Sequence, residues 1–149
     1  MVTPYAASSS PSALRALKVP DDDRVIVSVH AYTPYNMSLN RWSDEKTFSS
    51  SGKNEVDYLM KNINDIFISK GQAVIIGEFG SMNKENETER VKLAKYYVSE
   101  AKKLGVPCFW WDNGTKCAPS QGEGFGMLDR STLKWWFSDL VKALISSAK

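Results

Sequence analysis

Three short apolar runs break up the chain, and none alternates cleanly between apolar and polar positions. They are Val25-Ile26-Val27-Ser28-Val29-His30, Ala73-Val74-Ile75-Ile76-Gly77-Glu78-Phe79-Gly80 and Val106-Pro107-Cys108-Phe109-Trp110-Trp111. Runs of this length, rich in β-branched and aromatic residues, predict strands buried on both faces, as in parallel sheets. Residues 2–5 read as a further short strand. Between the runs the apolar spacing changes to three and four. Val56, Leu59, Met60, Ile63 and Phe67 predict a helix over 54–69 that Gly71 ends. Val91, Ala94, Val98, Ala101 and Leu104 predict another, opened by Asn86 and Glu89 as a capping box and closed at Gly105. Ser10 as cap and Pro11 in the first turn start a shorter helix that ends before Val19-Pro20. Residues 131–146 predict a last amphipathic helix.

Strand and helix therefore alternate four times, the signature of parallel βαβ units in an α/β fold. Four units make either a small open sheet or half of an eight-stranded barrel. No linker or low-complexity tract divides the 149 residues, so the chain reads as one domain. Residues 33–51 form a polar and aromatic connection, with Pro34, Tyr35, Trp42 and Phe48, of a length more common in functional loops than in plain connections.

Charge and composition mainly exclude. A net charge of +2 is too small to argue for nucleic acid or an anionic membrane surface. No apolar stretch approaches the roughly 20 residues of a membrane span, and the first residues lack the pattern of a secretory signal. Cys108 and Cys117 show no metal-binding spacing and are expected to be free thiols, although a bridge between them stays open. No metal or organic cofactor is suggested.

The chemistry gathers at the strand ends, where ligands bind in parallel α/β folds. Glu78 closes an otherwise oily strand between Gly77 and Gly80, and a carboxylate there is costly unless it is paired, used or turned to solvent. His30 and Tyr32 leave the preceding strand on one face, since alternate residues share a face. Trp110-Trp111 ends the following one. Each has a plain structural reading alone, the histidine as a satisfied buried group and the tryptophans as core. Together they supply a carboxylate, its hydrogen-bonding neighbours and an indole face, which is what a sugar site needs.

Val-Ser-Val-His-Ala-Tyr-Thr-Pro-Tyr (27–35), Ile-Gly-Glu-Phe-Gly (76–80), Phe-Trp-Trp-Asp-Asn-Gly (109–114) and Phe-Gly-Met-Leu-Asp-Arg (125–130) resemble the C-terminal half of glycoside hydrolase family 5. The bacterial endo-β-1,4-glucanases match best. The resemblance covers essentially the whole chain in the right order. It implies strands five to eight of a (β/α)8 TIM barrel, residues 1–149 forming the C-terminal half of the catalytic barrel. It makes Glu78 the nucleophile of a retaining mechanism, with His30 and Tyr32 contacting the nucleophile and the bound sugar. Trp111 matches the stacking tryptophan, with Trp110 one position away as the alternative, and Asn113 is a candidate rim contact.

Retaining glycosidases also need a second carboxyl as acid/base. The family carries it in an Asn-Glu-Pro motif on its fourth strand, and no such triplet occurs here. The expected partners are a β-glucan oligosaccharide or polysaccharide and either a second copy (a homodimer) or a complementing N-terminal half-barrel, with no nucleic acid and no membrane. The parent enzyme is expected to be secreted. Two rival readings are a carbohydrate-binding half-barrel without turnover and a purely structural assembly.

Overall fold

The computed structural model describes residues 1–149. Its centre is a parallel sheet of β1 (Val27–His30), β2 (Val74–Phe79) and β3 (Cys108–Trp110), in that order. Five α-helices accompany it: α1 (Pro11–Ala16), α2 (Tyr35–Ser38), α3 (Ser50–Ile66), α4 (Glu87–Lys103) and α5 (Ser138–Ala148). None is long and apolar enough to cross a membrane.

Alternation along the strands, reset by a register shift after Ile76, sends Val27, Val29, Val74, Ile76 and Phe79 to one face, where all are buried. There they meet the apolar stripes of α3 (Val56, Leu59, Met60, Ile63) and α4 (Leu93, Tyr97, Val98, Ala101) in one cluster. A second, smaller cluster joins Ala94 to Met127, Phe137 and Leu140, and so packs α5 against α4. Within this chain the helices cover only that face. On the other, Ile26 is 38% and Phe109 55% exposed, so burial on both faces, expected from the apolar runs, is not reached here.

Four local expectations need revision. The first strand shrinks to isolated bridges, Val2 with Val27 and Ser8 with His30. Pro4 has no N–H to continue a ladder, and Tyr5–Ala7 turns into a 3₁₀ segment. The long connection is partly helical, holding α2 and the first turn of α3, which Ser49 caps by accepting from the Gly52 N–H at 3.2 Å. Gly52 is required there because a Cβ would lie 2.8 Å from Pro34 Cγ. The last helix starts at Ser138 rather than near 131, because Leu128–Asp129 (β4) and Lys134–Trp135 (β5) first form an antiparallel hairpin. The Asp129 carboxylate ties its turn by accepting from the Ser131 and Thr132 N–H groups. Finally, Asn86 stands at the N-cap and Glu89 in the first turn of α4 as expected, but they make no capping box, because both side chains reach to the 33–51 connection instead.

Candidate active site

All three sheet strands run parallel, so their carboxyl ends lie together. Backbone hydrogen bonds extend the pairing past the strands: Ala31 N–H to the Glu78 carbonyl, and Trp111 N–H to that of Phe79, both 2.8 Å. The register shifts between Val29, opposite Ile76, and His30, opposite Glu78. The extra residue is Gly77, and it brings Glu78 level with His30. Glycine suits this position, since a Cβ would stand 2.4 Å from Ser28 Oγ.

The Tyr32 hydroxyl donates to Glu78 Oε2 at 2.7 Å, and His30 Nδ1 lies 3.3 Å from the same oxygen. Both contacts fall on Oε2, so Oε1 is free of them. Tyr32 is a firm donor because burial, reinforced by the hydrogen bond to Glu78 and the charges of Glu78 and Glu123, pushes its phenol well above the usual range. Its ring rests edge-on against Phe125 at 5.6 Å. Ala31, between His30 and Tyr32, is fixed by α4: buried Tyr97 donates to its carbonyl at 2.9 Å and stacks on Phe79 at 4.6 Å.

The two tryptophans part company. Trp110 turns to the core, edge-on to Phe79 at 5.3 Å, while Trp111 is 41% exposed at the adjacent strand end. Asn113 serves its own loop. Its amide donates to the Glu123 carbonyl at 2.6 Å and its Oδ1 accepts from Thr115 and Phe125 N–H groups. It thus supports the Phe125 that backs Tyr32. Of the five residues picked from sequence, Glu78, His30 and Tyr32 converge, Trp111 flanks them, and the Asn113 side chain is spent within its loop.

Sequence reading missed Lys84, a lysine in a polar stretch that gave no sign of burial. It is 1% exposed. Its ammonium donates to the carbonyls of Asn36 (2.7 Å), Ser43 (2.8 Å) and Asn40 (3.0 Å), with that of Glu45 at 3.3 Å. Burial lowers its pKa, opposed by the charges of Glu45 and Asp44; the carbonyl dipoles favour the charged form further. Beside it, Asn86 donates to the Lys46 carbonyl at 2.8 Å, and Met82 N–H to that of Ser38 at 3.0 Å. Asn83 N–H reaches the Gly124 carbonyl at 2.8 Å on the other side. The segment after Glu78 therefore clasps the loops that follow β1 and β3.

Comparison with known proteins finds relatives over the whole chain. The sequence model described as "Cellulase (glycosyl hydrolase family 5)" matches residues 1–117. Endoglucanase A of Clostridium longisporum is 48% identical over 151 positions, covering 100% of this chain and 29% of that protein. Endoglucanase 1 of Ruminococcus albus is 42% identical over 150 positions, 100% of this chain and 36% of that protein. The chain thus spans about a third of the length of these curated relatives. Among solved structures, a broad-specificity endoglucanase from C. longisporum superposes with a TM-score of 0.92 at 47% identity, over 98% of this chain and 42% of that one. Another, from Ruminococcus champanellensis with bound cellotriose, gives 0.88 at 37% identity, over 97% and 42%.

Proposed function

The chain belongs to glycosyl hydrolase family 5, the cellulases, and from that premise we propose that it carries the nucleophile side of a retaining β-1,4-glucan hydrolase. The observation that carries this reading is the convergence of Tyr32 and His30 on one oxygen of Glu78 at the carboxyl end of a parallel strand. A nucleophilic carboxylate has to be oriented through one oxygen and free at the other. Oε1 attacks the anomeric carbon, the glycosidic C–O bond breaks, and a glucosyl ester forms on Glu78. Water then attacks the same carbon and releases Glu78. Tyr32 steadies the carboxylate in both steps, and Trp111 stacks the apolar face of the glucosyl unit under attack.

Departure of a sugar alkoxide needs a proton from a second carboxyl, help typically worth roughly 10²–10⁴-fold. We place that acid on a complementing N-terminal half-barrel, residues 1–149 being the C-terminal half, strands five to eight. The uncovered sheet face with Ile26 and Phe109, and the open edge of β3, fit such a partner or a second copy. Light scattering that finds a well-folded, non-associating monomer would remove the self-association version. The parent protein is assigned to the extracellular space, where glucans are met.

The test uses a substrate that needs no acid. A 2,4-dinitrophenyl 2-deoxy-2-fluoro-cellobioside has a leaving group that departs unprotonated, and the fluorine slows ester hydrolysis. Intact-mass spectrometry should find one added fluorocellobiosyl group, mapped to Glu78 and absent in Glu78→Gln. No adduct in the wild type, with oligosaccharide binding retained, favours the binding half-barrel that the missing Asn-Glu-Pro triplet leaves open.

A further inference from the structure

Arg90, in the first turn of α4, is completely buried. None of its three guanidinium nitrogens has a hydrogen-bond partner, and neither has the buried indole Nε1 of Trp110. The guanidinium carbon stands 4.5 Å from the centroid of the Phe137 ring and 5.8 Å from that of Trp110. A second cation, the Lys116 ammonium, lies over the same Phe137 ring at 5.6 Å. Burial pushes Arg90 down to about 10, opposed by the charge of Glu87, so it stays a cation at neutral pH. The aromatic faces offset part of the cost of burying it. Its N–H groups still have nothing to bond, whereas a buried charge is ordinarily both paired and hydrogen-bonded.

We propose that Arg90 and the Trp110 indole N–H hold a small monovalent anion of the halide type, chloride in ordinary solution, where α4, β3 and the start of α5 meet. The proposal is independent of the glucanase reading. Its first argument is the sign of the unmet groups: the guanidinium and the indole are donors only, so their partner has to accept. A water molecule would accept two of these bonds but would need acceptors for its own two protons, and it would leave the charge of Arg90 uncompensated. A halide accepts from every side and supplies the missing charge. Size is the second argument. Arg90 is 0% exposed and is enclosed by Phe137 and Trp110, so a sulfate, a phosphate or a carboxylate from another chain would have to part α5 from α4 to reach it. The ion would tie the end of β3 to α4, one residue before Trp111.

Thermal melts of the full chain in sodium chloride, sodium bromide and sodium gluconate test this, all at one ionic strength so that general screening is the same. Chloride and bromide should raise Tm along a saturating curve, and gluconate, too large to enter, should not. A tenfold excess of halide over its Kd multiplies the folded-to-unfolded ratio about 11-fold, a rise of roughly 3–6 °C. Trp110→Phe keeps a ring and deletes the N–H, so it should weaken halide affinity by about tenfold or more. Arg90→Met should abolish the response; if that variant does not fold, Trp110→Phe decides alone. In bromide-soaked crystals, anomalous scattering should place the ion between the Arg90 guanidinium and Trp110 Nε1. A wild type equally stable in chloride and gluconate overturns the proposal. So does a halide response unchanged in Trp110→Phe, or a bromide-soaked crystal with only water beside Arg90.

Discussion

Replacing Lys84 by methionine keeps the side chain's apolar stem and removes its charged head. Three carbonyl oxygens within 3.0 Å then lose their donor. A hydrogen bond to a charged group contributes about 1.5–3 kcal/mol net, so the gross loss is roughly 5–9 kcal/mol. Against it stands the burial cost of an ammonium, several kcal/mol, which the variant no longer bears. Some of the freed carbonyls also find water when the loop loosens. The net destabilisation is about 3 kcal/mol, in line with the roughly 3–5 kcal/mol of removing one partner from a buried charged contact. At about 2–4 °C per kcal/mol for a chain of this size, Tm should fall by about 6–12 °C.

The location of the effect is as informative as its size. The carbonyls belong to residues 36–43, so amide exchange should quicken at Asn40 and Ser43, whose N–H groups bond within that loop, before it quickens in α4. Binding of cello-oligosaccharides should weaken, because the loop starts at Tyr32 and carries Tyr35. Circular dichroism melts and hydrogen exchange read both effects. A Tm within about 2 °C of wild type, with unchanged exchange at Asn40 and Ser43, would refute the idea that the ammonium holds the loop.

The two tryptophans should separate stability from binding. Trp110→Ala should cost about 2–3 kcal/mol in denaturant unfolding, below the roughly 3–5 of a fully buried tryptophan, whereas Trp111→Ala should leave stability nearly unchanged and weaken sugar binding. Gly77→Ala forces a Cβ against Ser28 Oγ; it should destabilise by about 1–3 kcal/mol and slow fluorosugar labelling of Glu78 by disturbing the register shift that sets Glu78 opposite His30. Stability should fall above about pH 10. Burial raises the Tyr32 and Tyr97 phenols above their ordinary range near 10, so the folded state keeps protons that the unfolded chain releases, and stability present below about pH 10 is lost as pH rises. Urea unfolding at pH 9 and pH 11 should show a smaller drop for Tyr97→Phe than for the wild type.

What sequence made legible follows the range of the forces involved. The strands around Val29, Ile76 and Trp110 are marked by their apolar runs and the helices of Leu59 and Val98 by three- and four-residue spacing, and their order followed from these. Glu78, His30 and Tyr32 were legible because each sits at the end of its strand, so one topological rule brings them together. The misses came from contacts distant in sequence. Asn86 and Glu89 carry a good capping pattern, but Lys46 and Phe48, some 40 residues away, take their side chains. Trp110 and Trp111 could not be told apart until the Phe79 ring, which selects the core one, was in place.

Lys84 extends this lesson to the site itself. Its six-residue distance from Glu78 places it where the chain has left β2, and its ammonium draws together carbonyls that would otherwise face water. No pattern in Ser81-Met82-Asn83-Lys84-Glu85-Asn86 signals this, because five of the six residues are polar in the manner of any exposed turn and the acceptors are backbone atoms, which sequence does not distinguish. That clasp holds α2 in place beside Tyr32, since the ammonium binds the Asn36 carbonyl within the helix and the Asn40 carbonyl just after it. Glu78 takes its place from the end of β2, which sequence reveals. The buried lysine that follows it holds the connection after β1 through the Asn36, Asn40 and Ser43 carbonyls, which only the fold reveals.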